Sequence, residues 1–262
     1  MAKLAPAMFI SHGSPMMALE KKGTATDQWR ILAKHMADAK AIVIMSPHWP
    51  TRGGVGVTGA AEPGIIHDFG GFPAELYRVT HAAKGDKALT QQVVNCLQAA
   101  GVHVAASEQQ PFDHGAWVPL LHLDADARRP VVQLSVDLSA SYHDLFMQGQ
   151  AMATLREQGI AIVGSGALTH NLRDVFMGGM RSLKYVSRFT HWVRERVENR
   201  TYDELLETQT LAPDFSQAHP YDEHFRPLMF ALGASLESDQ LKVLDGGVYD
   251  RCLAMENYLW SA

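Results

Sequence analysis

Three histidines stand at the ends of short apolar runs in this sequence. His12 follows AMFI, His48 follows AIVIM, and His170 follows IAIVGSG after a short turn. A neutral imidazole is a metal ligand, and it also accepts or donates protons near neutral pH. A single histidine after a strand is more often structural than functional. Three in the same arrangement favour metal binding or proton transfer.

Turn-forming residues accompany all three histidines: Gly13 and Pro15, Pro47, and Gly164 and Gly166. Such residues fix the direction of the backbone where a strand stops. We therefore expect each imidazole to be held on a rigid support.

Two further segments combine histidine with carboxylates. PFDHGAW places Asp113 beside His114, in a loop that leads into a predicted helix, and Asp113 is a candidate to orient that imidazole. Farther along, Glu223 and His224 precede an amphipathic helix. A histidine-rich set without cysteine suits zinc, iron, copper or nickel better than calcium or magnesium. We predict a mononuclear, nitrogen-ligated metal site.

The elements that must position these residues alternate along the chain, which is typical of an α/β fold with a mostly parallel or mixed sheet flanked by helices. The predicted strands are 7–10, 41–45, 54–57, 102–106, 131–136 and 160–166, and the predicted helices are 25–38, 86–100, 141–158 and 185–200. After residue 200, two helical segments and two closing strands indicate a mixed sheet edge. No linker divides the chain, so we predict one domain over 1–262, with the metal site at the carboxyl ends of the strands.

Composition narrows the function further. The 262 residues carry a formal net charge of -5 with scattered Lys and Arg, which argues against nucleic acid or an anionic membrane as a partner. Cys96 and Cys252 form no CxxC pair, and no apolar stretch reaches the length of a membrane span or a signal segment. We expect a cytoplasmic protein that acts on a small molecule. Motifs of serine hydrolases, P-loop proteins, zincins and dinucleotide-binding proteins are absent.

Six motifs occur in the order seen in one enzyme family: HGSP, SPHW, IHDFGGFP, FDHG, THNLR and HFRPLMFALG. Together they span roughly residues 9 to 233. The sequence resembles the class III extradiol ring-cleavage dioxygenases (LigB-like), and within them the 4,5-DOPA dioxygenase extradiol branch. The resemblance implies a non-haem Fe(II) enzyme that uses O2 to open an o-diphenol ring, such as that of DOPA, beside its two hydroxyls.

The same resemblance assigns roles to individual residues. It makes His12, His48 and His224 metal ligands, and places His170 and His114 over the substrate as acid/base residues. His170 is also expected to close on the metal when no substrate is present. Proton transfer fits imidazole, which can take a phenolic proton and later protonate the departing oxygen.

The segment HDFGGFP is predicted to form the mouth of the substrate pocket. Its two glycines permit a tight backbone path, and Phe69 and Phe72 offer flat apolar walls for an aromatic ring. An equally good interpretation is that both phenylalanines only pack the loop. We assign substrate binding to His67, Asp68 and Phe72.

One departure from many extradiol enzymes leaves alternatives open. Where they complete the metal site with a carboxylate, this chain offers His224, with Glu223 as a neighbouring candidate. An all-histidine set is also a good zinc site, and zinc has no redox chemistry. The first alternative is therefore a zinc-binding protein on the same scaffold without oxygenase activity; a zinc hydrolase using Glu223 or Asp113 as base ranks last. We predict one divalent metal per chain, Fe(II) for activity or Zn(II), and a monomer or small homo-oligomer.

Overall fold

The computed structural model describes residues 4–177 and 183–262. Its helices are α1 (Thr24–His35), α2 (Lys87–Ala99), α3 (His114–Leu123), α4 (Tyr142–Ala153), α5 (Leu172–Phe176), α6 (Lys184–Asn199), α7 (Tyr202–Leu206), α8 (Thr208–Leu211), α9 (Phe215–Ala218) and α10 (Arg226–Gly233). Short 3-10 helices span Pro15–Ala18, Leu76–Arg78 and Thr154–Gln158.

The strands are β1 (Ala7–Ser11), β2 (Ala41–Thr51), β3 (Val55–Thr58), β4 (Val104–Ser107), β5 (Val131–Asp137), β6 (Ile160–Gly166), β7 (Gln240–Leu244), β8 (Val248–Tyr249), β9 (Leu253–Ala254) and β10 (Asn257–Ser261). Eight of them form one sheet in the order β4-β3-β5-β2-β6-β1-β10-β7, and β8 pairs with β9 separately. The four central strands, β5, β2, β6 and β1, are parallel, whereas β10, β7 and the β3–β5 pair are antiparallel. The predicted α/β fold with a mixed sheet is confirmed.

The core fills both faces of this sheet. Along β1, Met8 and Ile10 face one side and Phe9 the other, as the two-residue period of a strand requires. Helices α1 and α3 cover the first face, and α2, α4, α6 and α10 cover the second. The central strands are buried on both sides, which explains their continuous apolar sequences.

Two boundaries near the histidines differ from the prediction. Strand β2 does not end at residue 45 but continues through Pro47 and His48 to Thr51, because its register against β5 shifts between Met45 and Pro50. Irregularities of this kind accommodate proline inside a sheet. Helix α3 begins at His114, so this histidine lies on the helix and not in the preceding loop.

The glycines before His170 also have a different role from the predicted one. Gly164 and Gly166 lie inside β6, not in a turn after it. A Cβ atom on Gly166 would lie 2.2 Å from the carbonyl oxygen of His224. Glycine at this position therefore lets the backbone of the His224 segment approach the end of β6.

In the described part of the chain, no helix combines the length and apolar character required to cross a membrane.

Candidate metal centre

Three imidazoles converge near the carboxyl ends of the central strands β1 and β2. His12 directly follows β1, His48 lies on the far half of β2, and His224 stands two residues before α10. The Nε2 atom of His48 lies 3.2 Å from Nε2 of His12 and 3.2 Å from Nε2 of His224. The three side chains form a group whose donor atoms are close enough to share one metal ion. The predicted meeting of His12 and His48 with His224 is therefore present in the structure.

The other ring nitrogens of two of these histidines are held by neighbours. His224 Nδ1 lies 2.9 Å from Glu223 Oε1, and His12 Nδ1 lies 3.0 Å from Ser165 Oγ. The carboxylate only accepts, so Nδ1 of His224 carries the proton, and the Ser165 hydroxyl already donates to the Gly115 carbonyl, so it accepts from His12. Both Nε2 atoms therefore present lone pairs toward His48.

Whether the residues fit a metal can be judged by comparing these lone pairs with the protons available to them. A neutral His48 has at most one Nε2 proton and can donate it to only one of its two neighbours. At least one inward-facing lone pair is then left without a hydrogen. A cation bound by all three Nε2 atoms would satisfy every one of them, so the arrangement fits a metal site.

Burial keeps the three imidazoles neutral. It lowers the pKa of His12, His48 and His224 well below the usual value, and the positive charge that neighbouring histidines would carry lowers each pKa further. A neutral imidazole is the form that binds metal. The site is therefore set up for a metal at neutral pH.

His114 lies beside this group and is held by Asp68. The Nδ1 atom of His114 lies 2.8 Å from Asp68 Oδ2, and its main-chain N–H donates to Asp68 Oδ1 at 2.9 Å. Burial raises the pKa of Asp68, but the hydrogen bonds and charge of His114 outweigh burial and bring the pKa below its usual value. The His114 ring centroid is 3.7 Å from that of His48.

His170 lies against His224. Their rings stack with centroids 3.6 Å apart and planes 10° from parallel. Burial, reinforced by the charge of His114, lowers the pKa of His170 to about 4. His170, Glu223 and His224 form a second possible ligand group, whereas His170 does not join the group of His12 and His48. Its roles as acid/base residue and as metal ligand both stay predictions.

The predicted pocket mouth is an aromatic cluster. The Phe69 ring lies 5.5 Å from His114 and 5.3 Å from Phe72, and His67 contacts the rings of Phe69 and Trp117. His67 Nε2 also donates to a backbone carbonyl, at 3.1 Å. The substrate-binding roles of His67, Asp68 and Phe72 stay predictions.

Asp113 does not orient His114, contrary to the sequence interpretation. Its side chain caps the start of α3 by accepting from the Ala116 N–H, and its carboxylate also accepts from Ser46 and Gln133. Burial is the main reason that its pKa rises to about 6. Asp113 thus stabilises the start of the helix that carries His114.

Sequence reasoning missed two supporting residues. Ser165 was not among the predicted site residues, but its hydroxyl fixes the orientation of His12. Asp68 was assigned to the substrate, but it holds His114 from 46 residues away. A polar residue at the buried end of a parallel strand was the available signal for Ser165, whereas no local pattern links Asp68 to His114.

Comparison with known proteins places the chain in a family. Residues 6–257 match the family described as "Catalytic LigB subunit of aromatic ring-opening dioxygenase". The chain belongs to the LigB family. The recognition made from six motifs is confirmed, as is the enzyme class, an extradiol ring-cleavage dioxygenase.

Relatives of this LigB chain cover nearly its whole length. The protein named "4,5-DOPA dioxygenase extradiol" from Beta vulgaris is 35% identical over 253 residues, covering 92% of each chain. The protein of the same name from Escherichia coli K12 is 39% identical over 237 residues, covering 87% of this chain and 84% of its own. A crystal structure of an uncharacterized protein from Escherichia coli K12 superimposes with a TM-score of 0.80 at 30% identity, covering 97% of this chain and 99% of the other.

Proposed function

We propose that this LigB-family enzyme opens the ring of an o-diphenol with O2 at one divalent metal, Fe(II) in the active form, held by His12, His48 and His224. The observation that carries this proposal is the convergence of three Nε2 atoms, with two of the opposite nitrogens held by Ser165 and Glu223. The relatives named 4,5-DOPA dioxygenase extradiol favour a DOPA-like catechol as substrate.

The metal would supply two kinds of chemistry, lowering the pKa of a coordinated phenol and passing electrons to O2. With three protein ligands, a bound metal would keep coordination positions free for substrate and O2, as in the facial triads of non-haem iron oxygenases. In this chain all three ligands would be imidazoles, so the third ligand would be neutral. His224 takes the place of the carboxylate, while Glu223 orients it from outside.

Proton transfer is assigned to His170, which lies against His224, and to His114, which lies against His48. Burial lowers the pKa of His170 to about 4, so it is neutral at pH 7 and offers a lone pair to a hydroxyl of the substrate. Phe69, whose ring lies 5.5 Å from His114, is placed to pack against the substrate ring.

A cytoplasmic location is part of the proposal and is supported by the two cysteines, Cys96 and Cys252, which are both free. The net charge of -5 supports a small-molecule substrate over nucleic acid. A monomer or small homo-oligomer stays a prediction.

The test is parallel reconstitution of metal-free protein with Fe(II) or Zn(II) under argon. Air is then admitted with catechol or DOPA, and with resorcinol as a control because its hydroxyls are not adjacent. We expect a yellow ring-opened product only from Fe(II) protein with an o-diphenol. No product from any o-diphenol at full iron occupancy would contradict the proposal and favour the zinc-binding alternative.

A further inference from the structure

Both carboxylate oxygens of Asp68 are used by one residue. Oδ1 accepts the main-chain N–H of His114 at 2.9 Å, and Oδ2 lies 2.8 Å from Nδ1 of the same residue. The Oδ2 atom of Asp68 lies 3.7 Å from Nδ1 of His48, which is too long for a hydrogen bond. Asp68 therefore hydrogen-bonds to His114, while it acts on His48 only through its charge.

This contact determines which ring nitrogen of His114 carries hydrogen. An ionised carboxylate can only accept, so Nδ1 must donate. In a neutral imidazole the opposite nitrogen, Nε2, is then an acceptor. The ring is buried between His48, at 3.7 Å between centroids, and the edge of Phe69, so it cannot turn freely.

We infer that Asp68 is a positioning residue that fixes His114 as the Nδ1–H tautomer, so that His114 Nε2 accepts a hydrogen bond from a substrate hydroxyl. The second half of this inference rests on the proposed function, whereas the tautomer itself does not. Asp68 thus acts on the substrate through His114, in place of the direct contact predicted from the sequence.

Replacement of Asp68 by asparagine should reverse the tautomer. The main-chain N–H of His114 still requires an acceptor, so the amide oxygen takes the place of Oδ1. The amide NH2 then faces Nδ1 and donates to it, which moves the imidazole proton to Nε2. Asp68→Ala removes both contacts and leaves the tautomer unfixed.

The first test measures the tautomer by long-range 1H–15N NMR of the Zn(II)-loaded protein, with His114→Gln used to assign the signals. We expect a protonated Nδ1 and an unprotonated Nε2 in the wild type, the reverse in Asp68→Asn, and a mixture in Asp68→Ala. A wild-type His114 that is protonated at Nε2, or that averages between tautomers, would overturn the inference. This readout needs no turnover, so it stands apart from failure of the proposed function.

The second test compares kcat of the Fe(II) enzymes at equal iron content. A purely structural role predicts that asparagine, which keeps the shape and one hydrogen bond, is milder than alanine. The tautomer role predicts the opposite order: kcat falls about a hundredfold in Asp68→Asn, at the lower end of typical acid/base contributions, and by less than that in Asp68→Ala, which leaves part of the population in the active tautomer. Asp137→Asn, which alters a carboxylate that binds Gly53 and Ser139, is the matched control and should keep full kcat. Equal or milder loss in Asp68→Asn would refute the role in catalysis.

Discussion

The Nδ1 atom of His12 lies 3.0 Å from the hydroxyl oxygen of Ser165, and that hydroxyl donates to the carbonyl of Gly115. The chain of contacts joins β1, β6 and the first turn of α3. It leaves the Nε2 lone pair of His12 directed at His48. The orientation of one ligand is therefore set by two elements far from it in sequence.

Ser165→Ala should weaken metal binding without unfolding the protein. Partners that orient a ligating histidine typically contribute 10- to 100-fold in metal affinity, so we expect a loss of about that size. Competition with a chelator for Zn(II) measures it. Ser235→Ala, which removes a hydroxyl that donates to the Leu232 carbonyl, is the control. An unchanged affinity in Ser165→Ala would contradict the orienting role.

Ligand and acid/base histidines should separate on metal content. His12→Ala and His48→Ala remove a ligand and should abolish metal retention after gel filtration, whereas His170→Ala should keep the metal and lose about 10²- to 10⁴-fold in kcat. The exposed His103, replaced by alanine, controls for the general effect of losing an imidazole. Full metal content in His12→Ala would show that the ligand assignment is wrong.

The sequence pattern predicted the convergence of the histidines because parallel strands end at a common edge. His12 and His48 do meet there, and His170 lies beside them against His224. The helices 25–38, 86–100 and 185–200 lie within a few residues of α1, α2 and α6. His114 and His224 were candidates because each stands beside a carboxylate in the sequence, and the motif resemblance assigned their roles.

The extent of β2 and the partners of two carboxylates could not be predicted, because they depend on contacts between segments that are far apart in the sequence. Pro47 looked like the end of a strand, but the register shift against β5 lets β2 continue through it to Thr51. Asp113 looked like the partner of His114 because it is adjacent, yet Ser46 and Gln133 on neighbouring strands take its carboxylate. Asp68 reaches His114 only because the chain folds back over 46 residues.

Stability should depend strongly on one fully buried ion pair. Arg156 makes two 2.7 Å hydrogen bonds to the carboxylate of Asp239 and also donates to the carbonyls of Ala5 and Ala234. Removing one partner leaves an uncompensated buried charge, so Asp239→Asn should lower the free energy of unfolding by about 3–5 kcal/mol. Urea denaturation measures it. Glu62→Gln breaks an exposed pair with Lys84 and should leave stability unchanged. A similarly small effect for Asp239→Asn would refute this account.

His219 should make stability fall in acid. Its Nε2 donates to the Leu168 carbonyl, and burial lowers its pKa to about 3. Because the unfolded chain titrates near the ordinary pKa of about 6.5, the contribution of neutral His219 is complete above that pH and is lost as pH falls toward 3. The rate of loss is roughly 1.4 kcal/mol per pH unit.

His219→Gln keeps an amide donor for Leu168 but has no titrating ring. As pH falls from 6.5 to 4.5, we expect the unfolding free energy of the wild type to decrease relative to that of His219→Gln. Urea denaturation of both metal-free proteins over this range measures it, and the other histidines are common to both. A difference that is constant with pH would contradict the prediction.

Ring opening by O2 at the metal is tested by the stoichiometry of O2 and catechol in the Fe(II) enzyme, measured with an oxygen electrode and chromatography of the product. We expect one O2 to be consumed for each catechol opened, no release of hydrogen peroxide, and no uptake in His12→Ala. Failure of Fe(II)-loaded protein to consume O2 with any o-diphenol, or uptake that yields a quinone and peroxide, would contradict the proposed function.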